Sequence, residues 1–384
     1  MLVSRLKIKN WRNFSLIDIP LRQRQFIVGP NAAGKSNLLD VFRFLRDIAK
    51  SEGGGFQKAI KNRGGLSKIR CLAARRDPEI IIEIDISKTP DEDPAWRYAI
   101  GIKQETRGYR QPFLSFEKVW HNKKLLLSRP NKEDKNDPER LKQTFLEQVN
   151  TNAEFREIAR YLESISYIHL VPQLLRYAKD IRGGLIEDDP FGQGFLVKVS
   201  KATPRTQKFR LSKIEEALKI AVPQLQQLRF ERDEDTGQPH LAALYAHWRP
   251  NAGWQREDQF SDGTLRLIGL LWALLDSDSL LLIEEPELSL NNGIVSQMSP
   301  LIYRMQRHRK RQVFISTHSD SLLNDNGIDG REIILLNPGR EGTTAEIAAN
   351  IADIKPLLDA GLSVGEVVLP RNRPKNIKQL GLFE

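Results

Sequence analysis

Apolar residues change their period several times along this chain, and each change marks an element. In "MLVSRLKIKNW" Leu2, Leu6 and Ile8 share one face of a strand, and Phe26, Ile27 and Val28 form a short continuous apolar run. Residues 2–28 therefore read as strand, turn, strand. A run of small residues follows, after which Leu38, Phe42, Leu45 and Ala49 recur at helical spacing. "GGG" at 53–55 and "RGG" at 63–65 mark loops, and "EIIIEIDIS" and "WRYAIGIK" predict paired strands.

From "SRPNKEDKND" (128–137), a polar linker, the pattern changes to helical. Asp137 is placed to cap a helix that Pro138 opens, and Leu141, Phe145 and Val149, then Phe155, Ile158, Leu162 and Ile165, have helical periodicity. "SYIHLVPQLLR" (166–176) has strand character, "RGGLIEDDPFGQGF" (182–195) is a glycine-punctuated loop, and 211–221 predicts a helix stopped by Pro223. "HLAALYAHW" reads as a strand, Leu267, Leu270, Leu271 and Leu274 as a helical face, and 280–283 and 313–315 as buried strands. No internal repeat and no heptads sustained over four turns are present, so no long coiled coil is expected. The pattern predicts an α/β fold edged by antiparallel strands, divided at 1–127, 128–250, 251–340 and 341–384, with a small helical insert in the second part.

Composition adds limits to this picture. The 384 residues, 40% hydrophobic, allow one large domain or two lobes with an ample core. Nothing approaches eighteen consecutive apolar residues and the N-terminus alternates like a strand, so a cytoplasmic protein with no membrane partner is expected. The single cysteine, Cys71, excludes an intramolecular disulfide and reads as a buried small hydrophobe; no Cys/His cluster has zinc spacing. A formal charge of +10 is compatible with a polyanion partner. Basic residues concentrate at "RMQRHRKR" (304–311), which reads as a helix end, at "RNRPKNIK" (371–378), and between Lys58 and Arg76, where seven Lys/Arg and no acid make the best candidate for a nucleic-acid phosphate surface.

The candidate chemistry starts at "GPNAAGKS", which fits G-x-x-x-x-G-K-[ST] from Gly29 to Ser36 between a predicted strand and a predicted helix. In such a loop backbone N–H groups wrap phosphates at a helix N-terminus, Lys35 reaches the β/γ-phosphates, and the Ser36 hydroxyl binds Mg²⁺. The strand at 280–283 ends in Glu284 and Glu285, which can present one carboxylate to the Mg²⁺ and the next to an attacking water; Pro286 ends it sharply. The strand at 313–315 ends in Ser316, Thr317 and His318, a candidate γ-phosphate sensor. Ser261, Asp262 and Gly263 open a helix whose free N-terminus is a second anion site, which one chain needs only if it serves a neighbour.

In that order, "GPNAAGKSN", "FSDGT", "LLLIEEPEL" and "STHSD" make the chain resemble the ABC-type ATPases of the RecF, OLD and SMC-head group, and among them the compact bacterial AAA-family ATPases found in DNA repair and anti-phage defence. The resemblance spans residues 2–320. It implies a two-lobed P-loop head that dimerises head to tail around two ATP molecules. It also implies that Gly29, Asn31, Ala32, Ala33, Gly34, Lys35, Ser36 and Asn37 hold ATP and Mg²⁺, with Glu284 as the metal-side acid and Glu285 as the catalytic base. Ser261, Asp262 and Gly263 would be the signature reaching a neighbour's ATP, His318 the switch histidine, Gln173 the glutamine that reaches the metal, and Arg12 and Asn13 nucleotide neighbours. Three departures stand out: Glu284 where Asp is usual, which implies slow hydrolysis; Ser-Asp-Gly in the signature; and "LSLNN" where relatives often carry His-Pro. About 66 residues follow His318, too few for the TOPRIM nuclease of OLD-type relatives and without D-x-D. The expectation is thus an ATPase that regulates a separately encoded effector such as a nuclease or toxin, with a RecF-like repair ATPase that binds DNA as the alternative.

Overall fold

A computed structural model describes residues 1–74, 77–177, 189, 191–249 and 253–372. In chain order its strands are β1 (Leu2–Trp11), β2 (Phe14–Pro20), β3 (Arg24–Val28), β4 (Ile80–Ser87), β5 (Trp96–Gln104), β6 (Pro112–His121), β7 (Lys124–Arg129) and β8 (Ser166–Ile168). They continue with β9 (Leu225–Arg232), β10 (Pro239–Tyr245), β11 (Trp254–Arg256), β12 (Leu281–Glu284), β13 (Val313–Thr317), β14 (Ile333–Gly339) and β15 (Gly342–Ile347).

These strands form three sheets. The first is antiparallel, in the order β2-β1-β4-β5-β6-β7. The second runs β15-β14-β3-β13-β12-β8 and is parallel except for the β14–β15 hairpin. Every residue of β3 and β13 is buried, as expected for parallel strands covered on both faces. Helix α1 (Lys35–Ala49) lies between these two sheets: Phe42 packs edge-on against Phe314 of β13, and Phe44 against Trp11 of β1. A second apolar cluster covers the other face of the parallel sheet through the helix Met298–Arg309. A third joins the helices Pro204–Ala221 and Asp262–Asp276 to the small antiparallel sheet β11-β10-β9. The α/β head with an antiparallel subdomain and a helical part is therefore present.

Several local expectations give way to tertiary contacts. Residues 143–152 are not helical, because Glu117 accepts the N–H groups of Phe145 at 2.8 Å and Leu146 at 3.3 Å, taking donors a continuous helix would use. Glu117 is itself fully buried and paired at 2.9 Å with Arg129, which also donates to the carbonyls of Arg140 and Gln143. The stretch 166–176 is strand only over β8; Pro172 then opens the short helix Pro172–Arg176. The helix expected over 211–221 begins seven residues earlier at Pro204, capped by the Thr203 side chain. The hairpin β14–β15 crosses the boundary drawn at 340/341, so 342–347 belongs to the parallel sheet. Arg311, from the basic run, is buried and donates to the carbonyls of Ala273 and Ser279. Cys71 is buried as expected.

Candidate functional site

The Gly29–Ser36 loop joins β3 to α1 at the C-terminal edge of the parallel sheet, where an open α/β sheet places its ligands. Gly34 holds φ of 100°, and a Cβ there would lie 2.2 Å from the Asn13 side-chain nitrogen, so glycine is required twice over. Ala32 also takes a positive φ of 63°. Ala33 is buried, and its carbonyl accepts the Asn13 amide at 2.8 Å. Asn13 further donates to Thr343 Oγ1 at 2.8 Å and accepts from the Asn37 amide at 2.8 Å, so one side chain ties the loop, α1 and β15 together. Asn31 is exposed at the loop tip.

Lys35 is buried, with its ammonium 3.0 Å from the Gly29 carbonyl, inside the curl of its own loop. Burial pushes its pKa down, and the nearby charges of Glu285, Glu287 and Glu284 work against that shift. The Ser36 hydroxyl donates to Glu284 Oε1, whose carboxylate spans the gap from β12 to the start of α1. The other oxygen of Glu284 accepts the hydroxyl of Tyr167 on β8, the strand next to β12. Burial and the adjacent Glu284 raise the Tyr167 pKa far above the phenol range, so the hydroxyl keeps its proton as a donor. Tyr167 escaped the sequence reading; its one signal is that a strand paired with β12 brings a side chain to Glu284.

Glu285 follows at the turn with φ of 43°, its N–H bonded to the Ser316 carbonyl at 3.0 Å. His318 Nδ1 stands 3.5 Å from Glu285 Oε1, and its side chain is half exposed. The parallel pairing of β12 with β13 matches Glu284 to Ser316, which is why the two strand ends meet.

Ser261 caps the helix Asp262–Asp276, accepting the Thr264 N–H at 3.2 Å, and is exposed. Gly263 is needed for close approach: a Cβ there would lie 2.6 Å from the Ser289 carbonyl in the turn after β12. Asp262 is drawn aside within its own chain by Arg176 and by Gln173, each at 2.8 Å. Gln173 is thereby joined to the signature and not to Ser36 or Glu284, which departs from the expected metal-side position. The reason is that the chain turns into the helix Pro172–Arg176 soon after β8.

Arg12, with φ of 49°, points its guanidinium at Asp40 of α1 at 2.7 Å, and Arg63 grips the same carboxylate at 2.9 Å. Arg12 thus braces α1 instead of projecting freely. A cavity of about 900 Å³ lies beside it, lined by Arg12, Asn13, Ala32, Asn37, Arg70 and Thr343 among others, next to the P-loop. In the basic run, Lys61 and Lys68 are exposed, whereas Arg63 is buried in its ion pair; Arg75 and Arg76 lie outside the described residues.

The family model described as "AAA domain, putative AbiEii toxin, Type IV TA system" matches residues 26–324, from β3 through the P-loop, signature and acidic strand to just past His318. The chain belongs to this AAA family. No curated protein sequence matches it. Among solved structures, an SMC head bound to the C-winged helix domain of ScpA superposes with a TM-score of 0.52 at 14% identity, covering 90% of this chain and 98% of that one. The SMC head domain from Thermotoga maritima is a looser likeness, with a TM-score of 0.47 at 13% identity over 90% of this chain and 99% of that one. The fold of this AAA-family chain is that of an SMC-head ATPase.

In the AAA-family chain the Ser36 and Glu284 oxygens suit Mg²⁺, a hard cation that takes oxygen donors and uses few protein ligands beside substrate phosphates. No group of three or more His, Cys, Asp or Glu that could hold a metal ion is found among the described residues. When bound, Mg²⁺ would neutralise phosphate charge. Lys35 would turn from its loop carbonyls to the phosphates, and Glu285 stands next to Glu284 with His318 3.5 Å away.

Proposed function

We propose that this AAA-family protein binds and hydrolyses Mg-ATP and that two copies close head to tail around two nucleotides, each signature helix meeting the partner's γ-phosphate. The observation that carries the reading is the bond between Ser36 and Glu284, which sets the two metal-side groups in contact beside a buried Lys35. Loop N–H groups and the ammonium bind the phosphates; Glu285 takes the proton of the attacking water, with His318 at its side. Glu284 accepts the protons of two hydroxyls, and Ser36 keeps its oxygen lone pairs for the metal while it donates.

The output is proposed to be regulation of a separately encoded effector, such as a nuclease or toxin, in anti-phage defence. The family description, which names a putative toxin of a type IV toxin–antitoxin system, supports the defence setting of this reading. The alternative, a RecF-like repair ATPase, is favoured by the exposed Lys61 and Lys68. No helix among the described residues is long and apolar enough to cross a membrane, and we place the protein in the cytoplasm.

The test of the site is Lys35→Ala. ATP should raise the melting temperature of the parent, by the linkage that follows from binding the folded state alone, and this rise should vanish in the variant. An ATP-induced rise that survives Lys35→Ala would place the nucleotide elsewhere.

A further inference from the structure

The acidic run "EEPE" contains a third carboxylate that the reading above leaves without a task. Glu287 is only 9% exposed, a costly place for a charge. Its Oε1 accepts two hydrogen bonds from the end of β13: the Thr317 hydroxyl at 2.7 Å and the His318 N–H at 3.1 Å. Thr317 Oγ1 in turn accepts the Ser319 N–H at 3.0 Å, which leaves its own proton for Glu287. The other oxygen, Oε2, is buried with no hydrogen-bond partner. His318 Nδ1 lies 3.7 Å from Glu287 Oε1 and 3.5 Å from Glu285 Oε1, so the imidazole is set between two carboxylates.

A turn needing only to be closed could use an apolar residue here, and a buried carboxylate with an orphan oxygen is a poor stabiliser. Both donors that Glu287 accepts come from the two residues that aim His318. We propose that Glu287 is a positioning residue for ATP hydrolysis, holding Thr317 and the His318 backbone so that the imidazole stays beside Glu285. The inference rests on the ATPase reading above. Glu287 acts through hydrogen-bond acceptance, so an amide oxygen can replace it.

Steady-state ATP hydrolysis tests this on Glu287→Ala, Glu287→Gln and His318→Ala, alone and combined. Displacing a reacting group by about 1 Å costs on the order of a hundredfold in rate, so Glu287→Ala should lower kcat by about that factor with KM for Mg-ATP unchanged. Glu287→Gln should recover most of the loss. In the His318→Ala background, Glu287→Ala should cost nothing more, because the residue it serves is already gone. If Glu287→Ala fails to fold, Thr317→Val removes one of the two donors and should lower kcat in the same His318-dependent way. Parental kcat in Glu287→Ala, or the same loss with and without His318, overturns the proposal while leaving the ATPase reading intact. A parent protein that does not hydrolyse ATP at all overturns both.

Discussion

Asp40 sets the footing of the P-loop helix. Burial opposes its ionisation, yet Arg63 and Arg12 outweigh burial and hold its carboxyl below the usual carboxylate range. A lowered folded pKa means that this group's stabilisation is present above the unfolded carboxylate value and is lost as pH falls through the lower folded one. Asp40→Asn should therefore destabilise by about 1.5–3 kcal/mol at neutral pH, because Arg63 and Arg12 lose their charge-assisted bonds to it while Asp47, at 2.9 Å, still pairs with Arg63, and the penalty should shrink in acid. Urea unfolding at neutral and acid pH measures this, and an equal penalty at both would contradict the assignment. At this scale the sequence revealed the residues whose type is dictated by chemistry. Gly29, Gly34, Lys35, Ser36, Glu284, Glu285 and His318 lie at one edge, because the parallel pairing of β3, β13 and β12 brings three strand ends there. Tyr167 and Glu287 stayed hidden, since each acquires its role from a neighbour 117 or 30 positions away.

Among the elements, the stretch from β8 through the helix Pro172–Arg176 has contacts at both of the proposed nucleotide-facing ends. Tyr167 touches Glu284, and Gln173 and Arg176 hold Asp262 at the signature. An aspartate at the start of the signature helix would repel a γ-phosphate, and Arg176 offsets that charge at 2.8 Å. Arg176→Ala should weaken ATP-dependent self-association by about tenfold, the usual worth of a charge-assisted bond, and leave ATP-dependent melting nearly unchanged. Light scattering and melting on the same samples measure the two effects, and an unaltered association would show that the pair is only a brace. Elements with strong periodicity, such as α1 and β12, were legible from the chain. The segment 143–152 was not, because the buried carboxylate of Glu117 on β6 took backbone donors from it. A local pattern carries no information about such distant acceptors.

For the whole molecule, an α/β fold with an antiparallel subdomain followed from the sequence, whereas the placement of α1 between two sheets and the strands β6, β7, β9, β11, β14 and β15 did not. The exposed Lys61 and Lys68, with Arg70, bear on a nucleic-acid partner. If they track phosphates, duplex DNA binding should be sequence-independent, fall steeply between roughly 50 and 200 mM salt, and weaken when the three are changed to alanine. Binding that ignores salt or survives the triple change would remove that surface from the account.

The central claim is that ATP joins two heads through sites contributed by both. Glu285→Gln keeps the size of the side chain and removes the base, so ATP should bind and remain uncleaved. The most direct test is molar mass in solution, with and without Mg-ATP, for Glu285→Gln and for Glu285→Gln combined with Ser261→Arg. Mass should double with Mg-ATP in the first, because a ligand that bridges two heads favours the assembled state. It should stay monomeric in the second, where the arginine fills the signature face while Lys35 still binds ATP. A mass that does not change in Glu285→Gln, or one that still doubles with Ser261→Arg present, would contradict the head-to-tail account.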